Sequence, residues 1–258
     1  RTYKVYHHLF DRDGRLVTKG PGGRYTHHRG LFFGFNKIGY GDGKQADIWH
    51  CRGRVYQSHS EVVSSEAGPV LARHRLRIDW HGQEAELIAE EAREMTIYRV
   101  ATGQLVEFNS RLETVAGTLE LRGDPQHAGF HFRASNQVAD ETSAETYYLR
   151  PDGKGGPGET RNWPDLEDHV NLPFNAMSFV IDGQRYTAVY LDRPENPKEA
   201  RYSERDYGRF GSYFEYDVTV DAPLEVAYRV WLTEGETTLD EVRRLDCDFV
   251  DPAVATVD

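Results

Sequence analysis

Leu31-Phe32-Phe33-Gly34-Phe35 is a continuous apolar run of the length of a β-strand. A short run without polar residues is typical of a strand that is buried on both faces. The run directly follows the polar segment Thr26-His27-His28-Arg29-Gly30. The sequence therefore predicts a strand inside the protein with a histidine-rich segment leading into it.

Turn and alternation signals on both sides of this run indicate an antiparallel β protein. Leu76, Ile78 and Trp80 alternate with charged residues, which is the period-2 pattern of a half-buried strand. Other apolar segments are separated by turn residues and predict hairpins. The remaining predicted strands are 3–10 and 15–19 around a turn at 11–14, 106–112, 178–181 and 185–191 around Asp182-Gly183, 213–220 and 224–232.

Helix is predicted only near the end of the chain. Thr238 and Glu241 have the spacing of a capping box, which predicts two helical turns over 239–245. Strands and helices do not alternate as in a parallel sheet, and no repeat or linker divides the chain. We therefore predict an all-β fold, an antiparallel β-sandwich with little helix, as a single domain over residues 1–258.

The segment 150–171 is rich in glycine and proline and contains Trp163. Loops of this length inside a compact domain are usually functional or disordered. Trp163 would either stack on a sugar ring or pin the loop to the sheet, and the sequence leaves both alternatives open.

Composition excludes two classes of partner. The chain has a formal net charge of −11, whereas nucleic acid binding needs a basic stripe, so we expect no nucleic acid partner. No run of about 18 apolar residues is present, so we expect no membrane span. Arg1 is not an initiator, so we expect that the start of the chain has been trimmed. If the removed part was an export signal, the protein is periplasmic or secreted; the sequence itself leaves the localisation open. The oligomeric state is not predicted.

Cys51 and Cys247 are the only cysteines. They form no CxxC pair of the kind that binds zinc or carries redox chemistry. Two buried thiols are the simpler expectation, and a disulfide between them is the alternative.

Three segments carry residues suited to chemistry. On a strand over 127–134, His127, His131 and Arg133 share one face, and Gly129 leaves an opening between the imidazoles. This face would line either a groove or the solvent. In an extended segment, His27 and His28 would point to opposite sides, so only one of them would serve a given site.

The third segment follows Asp192-Arg193-Pro194-Glu195-Asn196-Pro197, which predicts a turn. A short extended stretch then places Arg205, Tyr207 and Arg209 on one face. Arginine pairs with carboxylates and tyrosine exchanges protons with sugar oxygens. Surface ion pairs are the alternative explanation of this stretch.

Further histidines at several positions leave a metal site open. With carboxylates such as Asp47, they would suit a divalent metal, but their spacing matches no metal motif. No metal ligand is therefore assigned, and no cofactor is required by the sequence. These histidines are His7, His8, His50, His59 and His74.

Together these segments resemble the bacterial domain family often labelled "PmoA-like methane oxygenase". The segments His27-His28-Arg29-Gly30 and Asp47-Ile48-Trp49 are the most specific part of a resemblance that covers nearly the whole chain. The matching segments are Thr26 to Phe32, Asp47 to His50, His127-Ala128-Gly129, Asp192 to Pro197 and Arg205 to Phe210.

This resemblance implies a β-sandwich related to galactose mutarotase and to polysaccharide lyases, a galactose-mutarotase-like supersandwich. Members of the family accompany genes for sugar breakdown, which implies a carbohydrate substrate. A methane oxygenase subunit is a membrane protein, and this chain has no apolar span, so the label implies no oxygenase activity.

We therefore predict a carbohydrate-active enzyme on a glycan or modified sugar, a lyase working by β-elimination. A glycoside hydrolase or sugar isomerase, with or without a metal, is one alternative, and a noncatalytic carbohydrate-binding domain is another. The predicted partner is an oligosaccharide or polysaccharide. The predicted catalytic residues are His28, His127, His131, Tyr207, Arg133 and Arg205. The predicted substrate-binding residues are His27, Arg29, Trp49, His50, Trp163 and Asn196.

Overall fold

Three antiparallel sheets make up most of the protein, and the computed structural model describes residues 3–252. Within those residues, 18 strands and one α-helix are formed. The nine strands of the largest sheet lie in this order: β12 (Gly153–Lys154), β11 (Tyr147–Arg150), β13 (Phe174–Ile181), β14 (Gln184–Asp192), β18 (Leu224–Glu234), β8 (Gly103–Thr114), β7 (Leu87–Val100), β6 (Leu71–His81) and β5 (Tyr56–Ala67).

A five-stranded sheet contains the apolar run Leu31–Phe35. Its strands lie in the order β1 (Tyr6–His7), β2 (Leu31–Phe35), β10 (Ala128–Arg133), β16 (Arg209–Tyr213) and β15 (Arg201–Arg205). A four-stranded sheet has the order β17 (Tyr216–Val218), β9 (Leu119–Arg122), β3 (Lys37–Tyr40) and β4 (Lys44–Ala46).

The five-stranded and nine-stranded sheets pack face to face through aromatic rings. The rings of Phe130 and Phe108 lie 4.3 Å apart, and those of Phe33 and Trp80 lie 6.0 Å apart. On the other side of β2, the ring of Phe32 lies 5.1 Å from that of Trp49. All five residues of the strand are buried, so the prediction of a strand covered on both faces is confirmed.

Gly129 is required by the backbone of the neighbouring strand. Its φ is +88°, and a Cβ there would lie 1.9 Å from the carbonyl oxygen of Ser212. A glycine in a strand often marks such a close approach. The explanation that Gly129 leaves an opening between two imidazoles is therefore wrong, because the space belongs to β16.

Local signals predicted several elements correctly. The hairpin around Asp182-Gly183 joins Phe174–Ile181 to Gln184–Asp192. The helix α1 spans Leu239–Val250, five residues beyond its predicted end, and Thr238 and Glu241 form the capping box. The turn at 11–14 is formed, with Phe10 bridged to Leu16, although only Tyr6–His7 of that region is a strand.

The prediction of one strand over 213–220 is wrong. The strand Arg209–Tyr213 ends in the five-stranded sheet, and Tyr216–Val218 belongs to the four-stranded sheet. The chain changes sheets because Phe214 turns inward, where its ring lies 5.6 Å from that of Phe35.

Both cysteines are free thiols, so the alternative of a disulfide is wrong. Cys51 is partly buried and donates to the carbonyl oxygen of Ile48. Cys247 is exposed on α1, which corrects the expectation that both thiols are buried.

The all-β prediction with little helix is confirmed, and the sheets form an antiparallel sandwich. Besides α1, only the short helical turns Val138–Thr142 and Ser143–Glu145 occur between residues 3 and 252. Over the same residues, the structure contains no helix of the length and apolarity needed to cross a bilayer. The single-domain organisation stays a prediction.

Candidate functional site

The outer face of the five-stranded sheet, turned away from the nine-stranded sheet, carries buried polar side chains. His131 is paired with Gly211, and Arg133 is paired with Arg209. Directly paired residues of neighbouring strands point to the same side, so these side chains share the face opposite to Phe130. His131, Arg133 and Arg209 are 2%, 3% and 1% exposed. Of the two alternatives for this face, the structure therefore excludes a solvent-facing strand.

Gly211 makes room for the imidazole of His131. A Cβ at position 211 would lie 2.7 Å from that ring. The ring is held by its Nε2 atom, which lies 2.9 Å from the carbonyl oxygen of Ala128. Burial and the charges of Arg209 and Arg133 lower the pKa of His131 well below its ordinary value, so its imidazole is neutral.

Residues 25–30 form a turn rather than an extended segment. The amide of His28 donates to the carbonyl oxygen of Tyr25 at 3.0 Å. The side-chain nitrogen of Lys4 donates to the carbonyl oxygen of His27 at 2.5 Å and thereby holds the turn. The rings of His27 and His28 consequently lie 4.1 Å apart. The prediction that they point to opposite sides is wrong, because the backbone alternation of a strand is absent here.

Three histidines from distant parts of the chain meet beside this turn. One ligand nitrogen of each of His27, His50 and His127 lies within 4.8 Å of the other two. The ring centroids of His50 and His127 are 5.0 Å apart, and those of His27 and His50 are 4.8 Å apart. We call this group the histidine triad.

Two aspartates orient the histidine triad. The Nδ1 atom of His50 lies 2.7 Å from Oδ2 of Asp47, and that of His127 lies 2.9 Å from Oδ1 of Asp124. Each pair comes from an Asp-x-x-His segment in a tight turn. Asp124 was not predicted from the sequence, and the recurrence of this four-residue pattern at 47–50 and 124–127 is the signal that identifies it.

Two members of the site have strongly lowered pKa values. Burial, followed by the charges of His50 and Lys4, lowers the pKa of His27 to about 3. Burial, followed by Arg133, lowers the pKa of His28 far below its ordinary value. Both imidazoles are therefore neutral near pH 7 and keep a free lone pair.

Tyr207 lies at the tip of the hairpin formed by β15 and β16. Its ring is 4.4 Å from that of Tyr25 and stacks on that of His28 at 6.1 Å. The guanidinium of Arg133 lies 5.3 Å from the ring. The prediction of an extended stretch over 205–209 is wrong, since Gly208, with φ of +83°, reverses the chain and pairs Arg205 with Arg209.

The charges around Tyr207 favour its ionised form. Burial alone raises the pKa of the phenol, but the charges of Arg209 and Arg133 and a hydrogen bond from Arg133 outweigh it. The net effect lowers the pKa of Tyr207 below 10.0. Tyr207 is therefore suited to exchange a proton with a substrate.

Arg133 and Arg209 are buried cations without an anion. Within residues 3–252, neither guanidinium forms an ion pair with an aspartate or glutamate. Arg209 donates to the hydroxyl of Ser203 at 2.9 Å. Among the described residues, Nε of Arg209 and Nη1 of Arg133 have no hydrogen-bond partner. Burial and Arg209 lower the pKa of Arg133, which means that its charge is held at a cost. Buried charges are normally paired, so this face is suited to an anionic group.

Trp49 is covered by the protein on the same face. Its ring lies 4.8 Å from that of His131 and 6.3 Å from that of His127, and the residue is 3% exposed. Trp49 therefore packs against the imidazoles of His131 and His127. Arg29 donates to the carbonyl oxygens of Thr26 and His28 and thus holds the turn itself.

The other predicted residues lie around or away from this group. Arg205 donates to Oδ1 of Asn162 and to the carbonyl oxygen of Glu204. The guanidinium of Arg201, on the edge strand β15, lies 4.5 Å from the centre of the Trp163 ring. Asn196 is bonded to Asp192 and to the backbone of Ala227. The functional roles assigned to these residues stay predictions.

A concavity of about 560 Å³ lies elsewhere, on the nine-stranded sheet. Asn196 lines it, together with several arginines. These arginines already have partners: Arg75 is 2.6 Å from Glu94, and Arg111 pairs with Glu225. The histidine triad with Tyr207, Arg133 and Arg209 is the better candidate, because two buried guanidinium groups there have no acidic partner among the described residues.

Comparisons with known proteins give a family and a distant structural likeness. A family model described as "Family of unknown function (DUF6807)" matches residues 1–245. No curated protein matches the chain. The chain is similar to the crystal structure of GH36 alpha-galactosidase AgaB from Geobacillus stearothermophilus, with 10% identity and a TM-score of 0.37. That similarity covers 93% of this chain and 32% of the alpha-galactosidase chain. The resemblance to the PmoA-like family stays a prediction.

Proposed function

We propose that this protein, which belongs to the family of unknown function DUF6807, is a carbohydrate-active lyase. In this proposal it cleaves an acidic glycan by β-elimination. The proposal is argued from the site, because the family has no known function. The observation that carries the proposal is the pair of buried arginines without an anion, Arg133 and Arg209, beside the phenol of Tyr207. A sugar carboxylate supplies the missing charge.

The arginines have two tasks in this reaction. Arg133 and Arg209 bind the carboxylate of the sugar, since guanidinium groups pair with carboxylates through two parallel hydrogen bonds. They also stabilise the enolate that forms when the neighbouring carbon loses its proton.

Tyr207 moves the proton. As a phenolate, it takes the proton from the carbon next to the carboxylate, and the electron pair of that C–H bond forms the enolate. The enolate then collapses to a carbon–carbon double bond while the bond to the departing sugar oxygen breaks. That oxygen takes the proton from the Tyr207 phenol, which returns to the phenolate. The products are an unsaturated acidic sugar and a new free hydroxyl.

The histidine triad supports a second candidate, a metal-assisted glycoside hydrolase or sugar isomerase. It uses the same site but forms no double bond. A noncatalytic carbohydrate-binding domain is the third, and it predicts binding without turnover. The identity of the product therefore separates the three functions.

The test is incubation with a panel of uronate polysaccharides, neutral polysaccharides and keto-glycosides. We expect new ultraviolet absorbance from the conjugated double bond with uronate substrates and none with neutral ones. New reducing ends without that absorbance support the hydrolase and contradict the lyase. Binding without any product supports the carbohydrate-binding domain.

Matched variants test the roles of the residues. Arg133→Gln is expected to lower kcat/KM by about 10²–10³-fold, as the loss of one group that stabilises a developing oxyanion does. Tyr207→Phe is expected to lower kcat by a similar factor. Arg111→Gln, in the groove of the nine-stranded sheet, and Tyr98→Phe, on β7, are the controls and should keep full activity. Equal activity in all four variants would contradict the proposal.

A further inference from the structure

We propose that His27, His50 and His127 bind one divalent transition-metal ion, for which Zn²⁺ is the test ion. The inference goes beyond the lyase proposal and does not depend on it. Three imidazole ligands with a coordination position left for water or substrate are a common arrangement of catalytic zinc sites. The three ligand nitrogens here lie within 4.8 Å of one another.

The spacing of the ligand nitrogens suits an ion after small rotations of the rings. Zinc binds histidine nitrogen at about 2.0–2.1 Å, which places tetrahedral ligands roughly 3.4 Å apart. His50 and His127 are partly exposed, with 17% and 29% of their side-chain surfaces accessible. Solvent therefore reaches the triad, and an ion has a route to it.

The two aspartates fix the tautomer that a metal requires. When Nδ1–H of His50 donates to Asp47, its Nε2 presents a lone pair, and the same holds for His127 and Asp124. Metal-binding histidines almost always donate their second nitrogen to a carboxylate or carbonyl in this way. Asp124 is fixed in turn by Asn36, whose amide lies 2.8 Å from Oδ2.

His27 completes the triad with an atom that has no other partner. Its Nε2 atom is buried and forms no hydrogen bond within residues 3–252. A buried nitrogen without a partner is costly, and the neighbouring imidazoles supply no hydrogen to it because their Nδ1 hydrogens are directed to the aspartates. A cation between the three rings satisfies all three lone pairs at once.

The position of the triad relates the ion to the rest of the site. His28, the next residue after His27, stacks on Tyr207, and Arg133 lies over that ring. The same surface therefore combines a cation site at the histidine triad with a binding site for an anionic group at Arg133. An oxygen-rich acidic ligand fits both, with a hydroxyl or ring oxygen at the ion and its carboxylate at the arginines.

The test is calorimetric titration of chelator-treated protein with Zn²⁺, with metal analysis of the dialysed product. We expect one ion per chain. His50→Ala and His127→Ala should each weaken binding by at least about 100-fold, and Asp124→Asn by about 10–100-fold, as the loss of an outer hydrogen-bond partner does. His59→Ala, an exposed histidine on β5, is the matched control and should bind as the unchanged protein does.

A second measurement does not depend on variants that fold. Co²⁺ added to the unchanged protein should give the intense visible bands of a tetrahedral or five-coordinate ion with nitrogen ligands. The absence of stoichiometric Zn²⁺ binding at neutral pH, or unchanged binding in His50→Ala, would overturn the proposal. Metal binding without any eliminated product would leave the metal site standing and contradict the lyase alone.

Discussion

Tyr207 connects the two halves of the candidate site. Its ring lies 6.1 Å from that of His28 in the histidine-rich turn, and the guanidinium of Arg133 on β10 lies 5.3 Å from it. Burial opposes ionisation of the phenol, but two nearby guanidinium charges favour it more strongly. The chemical character of this tyrosine therefore comes both from Arg209, two residues further along the chain, and from Arg133, which is distant in sequence.

The pKa of Tyr207 can be tested without a substrate. We expect the ultraviolet pH titration of the unchanged protein, minus that of Tyr207→Phe, to show one phenol that ionises below 10.0. Cations stabilise the phenolate, so Arg133→Gln should move this titration to higher pH. A difference curve centred at or above 10.0, or one that Arg133→Gln leaves in place, would contradict the electrostatic account of the site.

At the scale of elements, the hairpin of β15 and β16 positions Tyr207, and a buried ion pair anchors the loop beside that hairpin. Glu204 of β15 accepts a hydrogen bond from Arg150 at 2.7 Å and from the amide of Arg161 at 2.8 Å. The amide of Trp163 donates to the carbonyl oxygen of Tyr202. The loop 150–171 is therefore held to the edge of the sheet, which favours Trp163 as a residue that pins the loop.

Breaking this anchor should destabilise the fold. Both Glu204 and Arg150 are almost fully buried, so Glu204→Gln is expected to lower the free energy of unfolding by about 3 kcal/mol, because the buried guanidinium of Arg150 then keeps only the partly exposed Glu159 as an ionic partner. The control is Glu225→Gln, which removes an exposed partner of Arg111 and should cost less than about 1 kcal/mol. Urea denaturation of the two variants measures the difference. A cost for Glu204→Gln no larger than that for Glu225→Gln would contradict the anchor.

The same pair predicts a dependence of stability on pH. Burial opposes ionisation of Glu204, but contacts with His169 and Arg150 outweigh it and lower the pKa of the carboxyl below 4.5. A lowered folded-state pKa stabilises the protein above the unfolded value of 4.5, and the stabilisation is lost as pH falls through the folded-state value. The difference between the unchanged protein and Glu204→Gln should therefore be full above the unfolded value of 4.5 and shrink as the pH falls below it.

The sequence predicted those elements whose signals are local. The apolar run Leu31–Phe35, the Asp182-Gly183 turn and the capping box at Thr238 each depend on a few adjacent residues. The orientation of His27 relative to His28 could not be predicted, because the side chain of the distant residue Lys4 holds that turn. The meeting of the two Asp-x-x-His segments likewise depends on the pairing of strands far apart in the chain.

At the scale of the whole molecule, the site is a local exception to the overall charge. The chain has a net charge of −11, yet the outer face of the five-stranded sheet buries Arg133 and Arg209 without an acidic partner among the described residues. The sandwich makes this arrangement stable, because the aromatic packing of Phe130 and Phe108 on the inner face holds the strands that carry the charges. An anionic ligand is therefore recognised by a small region rather than by the average surface.

The central claim is that this outer face, and not the groove of the nine-stranded sheet, is the functional site. The most direct test is a crystal structure of the protein soaked with Zn²⁺ and a uronate oligosaccharide. We predict anomalous density between His27, His50 and His127, and a sugar carboxylate between Arg133 and Arg209. A sugar bound in the groove beside Asn196, with no ion at the three histidines, would contradict the account.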